Sequence, residues 1–296
     1  MTSDSHKINK GRRYPLKGLE EHTVVDEFIA PLIESLPDNV KQIIYYGATE
    51  MLNNAIDHSE GTSVTVIVEV DVQRVLIIIS DDGVGIFNKI QKSFHLENPE
   101  DSIIELCKGK LTTDPTRHTG EGIFFTSRVC DGFLIHSGIL LFAYEQDIDM
   151  LLNGANEINE GTMVSLEVNK DTKRMLAEVF DKFTSGEEEF GFTRTHFPVK
   201  VAEYGPDKLM SRSIAKRVLN RFSQFKEVML DFKDVEFIGQ AFADEIFRVY
   251  AKSHPEVHIL PINAVPAVQK MINRAQANRT GENSEEAGNG ESLKSE

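Results

Sequence analysis

Cysteine is nearly absent from this chain of 296 residues, which carries only Cys107 and Cys130. Two thiols without paired spacing make neither a disulfide scaffold nor a zinc site, and they suit a reduced, cytoplasmic protein. Long apolar runs are missing too. No stretch approaches the roughly 18 residues of a membrane span, and Met1 to Lys7 lack the charged-then-apolar order of a signal peptide. Neither secretion nor membrane insertion is expected. Basic residues are in deficit, 32 Lys and Arg against 47 Asp and Glu, a formal charge of -15. That argues against generic nucleic-acid coating, whose affinity comes from cations neutralising phosphates.

What is present is ordinary globular composition, 40% hydrophobic and 27% charged. At roughly 100–200 residues per domain, the length favours two domains. Residues 1–18 are polar and basic and read as a flexible arm with little to bury. Apolar residues at helical spacing predict a helix over 20–36, kinked at Pro31, and a second from the Pro37 turn to about His58. The period then changes to two. Residues 64–70 alternate as a strand, and the β-branched run 74–80 reads as a deeply buried one. Residues 88–118 show one short helix, 101–108, and otherwise suggest a functional lid. A helix over 122–130 and strands near 133–136, 139–144 and 162–168 complete a first domain, 19–169.

A connecting helix and linker are expected over 170–190. The pattern then restarts as strand 199–202, helix 211–225, strand 228–232, helix 241–253, strand 257–260 and helix 264–275. Strands alternating with helices indicate a small α/β domain over 191–278. Residues 279–296 read as a disordered acidic tail.

Four features carry chemistry. Glu50, Asn54 and His58 stand at i, i+4 and i+8, lining one helix face with Asp57 beside them. That is a solvated face, or a carboxylate, an amide and an imidazole set around a metal–phosphate site. Asp81-Asp82-Gly83-Val84-Gly85 follows the buried strand, either as a hairpin turn or as a carboxylate and close-approach backbone facing a ligand amine. His118-Thr119-Gly120-Glu121-Gly122-Ile123 opens a helix, a junction whose free N–H groups can hold an anion. Gly161-Thr162 enters a strand. No Gly-x-x-x-x-Gly-Lys-Ser/Thr phosphate loop occurs.

Their order and spacing resemble the GHKL ATPase superfamily of gyrase-type ATPases, heat-shock chaperones, sensor histidine kinases and anti-sigma-factor serine kinases, over about residues 36–169. The resemblance implies a Bergerat-type α+β two-layer sandwich that binds ATP and Mg²⁺. It implies Glu50 as general base, Asn54 on Mg²⁺, Asp81 reading the adenine amine, and Gly83 and Gly85 beside the base. Gly120 and Gly122 would wrap the phosphates and Thr162 would support the adenine pocket. Asp57, His58, Thr119 and Ile123 complete the expected binding set. From the lid, Lys108, Lys110 and Arg117 are cations for the phosphates, beside Thr112, Thr113 and Thr116.

Glu50 stands where histidine kinases usually carry Asn, so the run is most similar to the anti-sigma-factor serine kinases. No helix with a phospho-accepting His followed by an acid is seen. Residues 228–245 resemble a STAS-like module, but its usual phosphosite loop reads Gly239-Gln240-Ala241, without a hydroxyl. Arg212, Lys216, Arg217 and Arg221 form a basic stripe, better read as a solvated face than as a nucleic-acid contact. The expectation is an enzyme that hydrolyses ATP or phosphorylates a protein Ser or Thr, with a protein partner and homodimerisation. The alternative is a non-catalytic, ATP-gated interaction switch.

Overall fold

The computed structural model describes residues 8–113, 116, 118–145, 148–184, 191–203 and 208–288. The chain divides into two units, Met1–Lys182 and Phe183–Glu296.

The first unit is a two-layer sandwich of one antiparallel sheet and helices. Its strands are β1 (Ile8–Pro15), β2 (Ser63–Val70), β3 (Arg74–Asp81), β4 (Gly132–Glu145) and β5 (Ile148–Asn169), in the order β1-β2-β3-β5-β4. Alternation buries Val64, Val66, Val68 and Val70 from β2 and Val75, Ile77 and Ile79 from β3. The other face of β3, with Leu76 and Ile78, is only half-buried, so its apolar run is not a strand enclosed on both sides. Beyond Met163, β5 leaves β3 and pairs with β4 alone as a long hairpin.

Part of the expected arm is β1. Ile8–Pro15 pairs antiparallel with Ser63–Val70 and buries Tyr14, while residues 1–7 lie outside the described residues. An edge strand solvated on most side chains is held by backbone hydrogen bonds, which leave no hydrophobic pattern to read.

The first helical stretch runs through α1 (Glu21–Val24), a π turn (Val25–Ile29) and α2 (Ala30–Ile33). Pro31 lacks the N–H that would bond the Glu27 carbonyl, and the helix widens there rather than breaking. α3 (Asp38–His58) turns Val40, Ile43, Ile44, Ala48, Leu52 and Ala55 to the sheet. Complete burial of an Ile or Leu contributes about 1.5–3 kcal/mol, so this face fixes the helix and leaves its polar stripe free for chemistry.

The segment expected to hold one short helix, 101–108, carries a second one before it. α4 (Ile86–Ser93) buries Phe87 and Ile90, and α5 (Asp101–Lys108) is buried along its whole length. Lys108 is a correction to the lid reading: it is fully buried and donates to Glu105 at 2.8 Å, out of reach of a phosphate chain. α6 (Gly122–Val129) follows the glycine turn, and α7 (Leu176–Lys182) closes the unit.

The second unit is a smaller α/β domain. β6 (Arg194–Pro198), β7 (Glu227–Asp231) and β8 (His258–Ile262) form a parallel sheet in that order. Its helices are α8 (Arg212–Leu219), then α9 (Gln240–Asp244) running through a π turn (Glu245–Tyr250) into α10 (Ala251–Ser253), and α11 (Pro266–Gly288). The first strand lies earlier than expected. Thr195 and Phe197 alternate inward, whereas Val199–Ala202 is a 3₁₀ turn that buries its apolar residues without pairing. α8 is capped by Ser211, whose hydroxyl accepts from the Ile214 N–H, and it stops before Arg221, which takes φ +64°. The last helix buries Val268, Ile272 and Ala275 and runs on to Gly288. Part of the expected tail is thus helical, and 289–296 lie outside the described residues.

Candidate active site

The polar stripe of α3 forms one wall of a cavity of about 310 Å³. Glu50, Asn54 and His58 face it, as do Asp81 at the end of β3 and Thr162 on β5. Further lining comes from residues 111–113 and 118–124, which bring Thr119, Gly120, Gly122 and Ile123. Gly85 completes the set at the start of α4. Besides Lys108 and Thr116, three expected residues do not line the cavity. Asp57 lies behind His118, Gly83 supports Asp81, and Lys110 lies near enough to Glu121 to stabilise that carboxylate. Arg117 is outside the described residues.

The two ends of the cavity differ in chemistry. At one end Ile79, Ile90, Leu106 and Val164 offer an apolar slot beside the Asp81 carboxylate. Burial pushes the Asp81 carboxyl above its ordinary range, against the pull of the Gly83 N–H, which donates to Oδ1 at 2.9 Å. The Thr162 hydroxyl accepts from the Ile86 N–H at 2.9 Å, leaving its own hydrogen to donate. Next door, Asp82 does something else. It accepts from the N–H and hydroxyl of both Thr62 and Ser63 at 2.7–2.9 Å, tying the hairpin, and those bonds hold its carboxyl far below the usual range.

At the other end lies Glu50. Burial raises its carboxyl above the ordinary range; His118 opposes that rise and Glu121 adds to it. Gly122 opens α6 directly against it, since a Cβ there would lie 2.1 Å from Glu50 Oε2. Gly120 has φ +72°, and a Cβ on it would meet the Leu111 backbone at 2.6 Å. The Leu111 N–H donates to the Gly120 carbonyl at 3.1 Å, so the loop between them is closed at its base.

Lys89, Asn53, Tyr46 and the role of His118 escaped the sequence reading. Lys89 lines the cavity, with its ammonium on the His58 carbonyl (2.7 Å) and Glu60 (2.9 Å). The spacing of Phe87 and Ile90 was a usable helical signal for its segment. Tyr46 sits one turn before Glu50 and packs edge-on against Phe180 of α7, at 5.5 Å between ring centroids. Burial, then the charges of Glu50 and Glu121, drive its phenol pKa up.

In the second unit, Asp231 ties the ends of the parallel strands. It accepts from Asn263 and bonds His196 at 2.8 and 2.9 Å, and both that pair and the Lys233 N–H hold its carboxyl low despite burial.

The first cavity fits a nucleotide with a divalent ion. An apolar slot with a carboxylate suits a purine amine, and the glycine turn packs so closely on Leu111 and Glu50 that a side chain there would displace the lining. The Asn54 carboxamide, with Glu50 nearby, offers the oxygen donors Mg²⁺ takes. Among the described lining residues, three carboxylates (Glu50, Asp81 and Glu121) face one lysine, so a polyanion needs a cation brought with it.

Comparison with known families agrees with this geometry. Residues 39–172 match the family described as histidine kinase-, DNA gyrase B- and HSP90-like ATPase. Residues 214–269 match a STAS-like domain of unknown function. No curated protein matches the chain. No helix among the described residues is long and apolar enough to cross a membrane.

Proposed function

With residues 39–172 a GHKL-type ATPase domain and residues 214–269 a STAS-like one, we propose a magnesium-dependent, ATP-binding regulatory protein of the cytoplasm. It hydrolyses ATP or transfers the γ-phosphate to a Ser or Thr of a protein partner. Within the superfamily the run from Glu50 to His58 supports a likeness to anti-sigma-factor serine kinases.

The observation that carries the enzymatic reading is Glu50. A half-buried carboxylate, kept against the glycine turn and raised in pKa, is suited to taking a proton from water or a hydroxyl at Oε2. Asp81 and Thr162 orient the base, and the N–H groups opening α6 meet the phosphates. Mg²⁺ held by Asn54 supplies neutralisation of phosphate charge. The STAS-like domain is the proposed partner-binding element. Its Gly239-Gln240-Ala241 loop has no hydroxyl to accept phosphate, so the acceptor is sought on another protein.

Following γ-labelled ATP in the full chain, with and without candidate partners, tests this reading. Label appearing as free phosphate or on protein, lost in Glu50→Ala with ATP binding kept, supports it. Binding without turnover under every condition leaves the ATP-gated switch instead.

A further inference from the structure

The helices α3 and α6, which bring Glu50 and Gly122 together, also meet one turn away. A Cβ on Gly47 of α3 would lie 3.0 Å from the Thr126 methyl of α6 and 3.3 Å from Leu166. The absence of a side chain at Gly47 is what lets the two helices approach there. Gly47 with Thr126, and Glu50 with Gly122, are successive contacts of one antiparallel crossing. Whatever holds that crossing sets how far Glu50 stands from the glycine turn.

Residues 170–182 hold it from the side. The Asn39 amide, at the start of α3, donates to the Thr172 and Arg174 carbonyls at 3.0 and 3.3 Å. The Arg174 guanidinium donates to the Arg128 carbonyl, in the last turn of α6, at 2.9 Å. In α7 the Phe180 ring lies 4.3 Å from that of Phe125 on α6 and 5.5 Å from that of Tyr46 on α3, between centroids. Phe125 and Tyr46 directly precede Thr126 and Gly47, so one ring touches both helices beside their crossing. α7 itself lies past residues 39–172, the stretch that matches the ATPase family.

We propose that residues 170–182 are a strut fixing the spacing of α3 and α6, with Phe180 as a positioning residue for Glu50. This rests on Glu50 as the base, the reading given above. The ring touches neither cavity nor nucleotide; it acts through Tyr46, one turn before Glu50, and through Phe125, three residues after Gly122.

The test uses the full chain with Phe180→Leu, which keeps apolar bulk without a ring, and Phe180→Tyr, which restores the ring. Without nucleotide, hydrogen exchange of the α6 amides should quicken at least about tenfold in Phe180→Leu, as local opening of that helix becomes easier. Amides of β2 and β3 should keep the wild-type rate, which reports an intact fold. Turnover of ATP should fall about ten- to a hundredfold while affinity for a non-hydrolysable analogue stays within about twofold, because the base is displaced and the pocket is not. Phe180→Tyr should restore both readouts. Wild-type exchange in α6, unchanged turnover, or a Tyr variant as impaired as the Leu variant overturns the inference. So does affinity lost in step with turnover, which marks general damage. A wild-type chain that binds ATP without turning it over removes the enzymatic reading instead, and α6 exchange then decides the strut alone.

Discussion

Glu50 Oε2 occupies the space that a Cβ on Gly122 would need, 2.1 Å from its ideal position. The first residue of α6 and the candidate base of α3 are thereby made for each other. Gly122→Ala pushes on the tip of a flexible side chain, so the fold tolerates it, and Ala suits a helix better than Gly. The carboxylate, however, must move. We expect a thermal midpoint at or above wild type, nucleotide affinity little changed, and turnover lower by about 10²-fold, the usual cost of a displacement of about 1 Å. Unchanged turnover would remove Glu50 from the chemistry.

Glu50 also carries a stability cost with a defined pH dependence. Burial raises its folded pKa, so the charged form is disfavoured in the fold. Stability from this group is lost as pH rises from the unfolded value, about 4.3, through the folded one. Glu50→Gln should therefore melt higher than wild type at pH 7, with the gap closing toward pH 4. Melting curves across that range check it; a variant less stable at neutral pH contradicts the assignment.

Much of this site was legible because α3 writes it at a fixed period. Glu50, Asn54 and His58 recur every four residues, and a helix has no choice but to align them. The neighbouring carboxylates Asp81 and Asp82 are different, since either could face a ligand on sequence alone. What separates them is Thr62 and Ser63, about twenty residues away, which with Arg13 engage both oxygens of Asp82. Lys108 read as a lid cation because its burial against Glu105 depends on tertiary packing. β1 was hidden for the opposite reason: an edge strand is held through its backbone. The first strand of the second unit was misplaced because Val199, Val201 and Ala202 are apolar and buried but lie in a 3₁₀ turn.

On the proposed ATP reading, the charge balance of the cavity calls for a metal ion to arrive with the nucleotide. Among the described residues Lys89 is the one lysine lining the cavity with Glu50, Asp81 and Glu121, and its ammonium is already engaged. Chelating Mg²⁺ should weaken binding of an ATP analogue by at least about tenfold, or about 1.4 kcal/mol. Equilibrium dialysis with and without chelator measures this. Tight binding in the absence of divalent ions would count against Asn54 as a ligand.

The helix that opens at Gly122 is fastened at its far end by a buried ion pair. Arg128 donates to both oxygens of Asp149 at 2.8 and 2.6 Å, and its guanidinium lies over Phe124 and Tyr144. Both side chains are almost fully buried, so the pair joins α6 to the β4–β5 hairpin without solvent screening. Removing one member leaves a charge with its main partner gone, which costs about 3–5 kcal/mol. Asp149→Ala should lose that much in urea unfolding. Replacing both residues with apolar ones, Arg128→Met with Asp149→Leu, should recover most of it, because no buried charge is then left to bear a desolvation penalty. Equal losses in the single and double variants would show that the cost lies in shape rather than charge. If the pair also sets the pitch of α6, the double variant should regain stability yet keep a reduced turnover, since Gly122 and Glu50 depend on that helix for their separation.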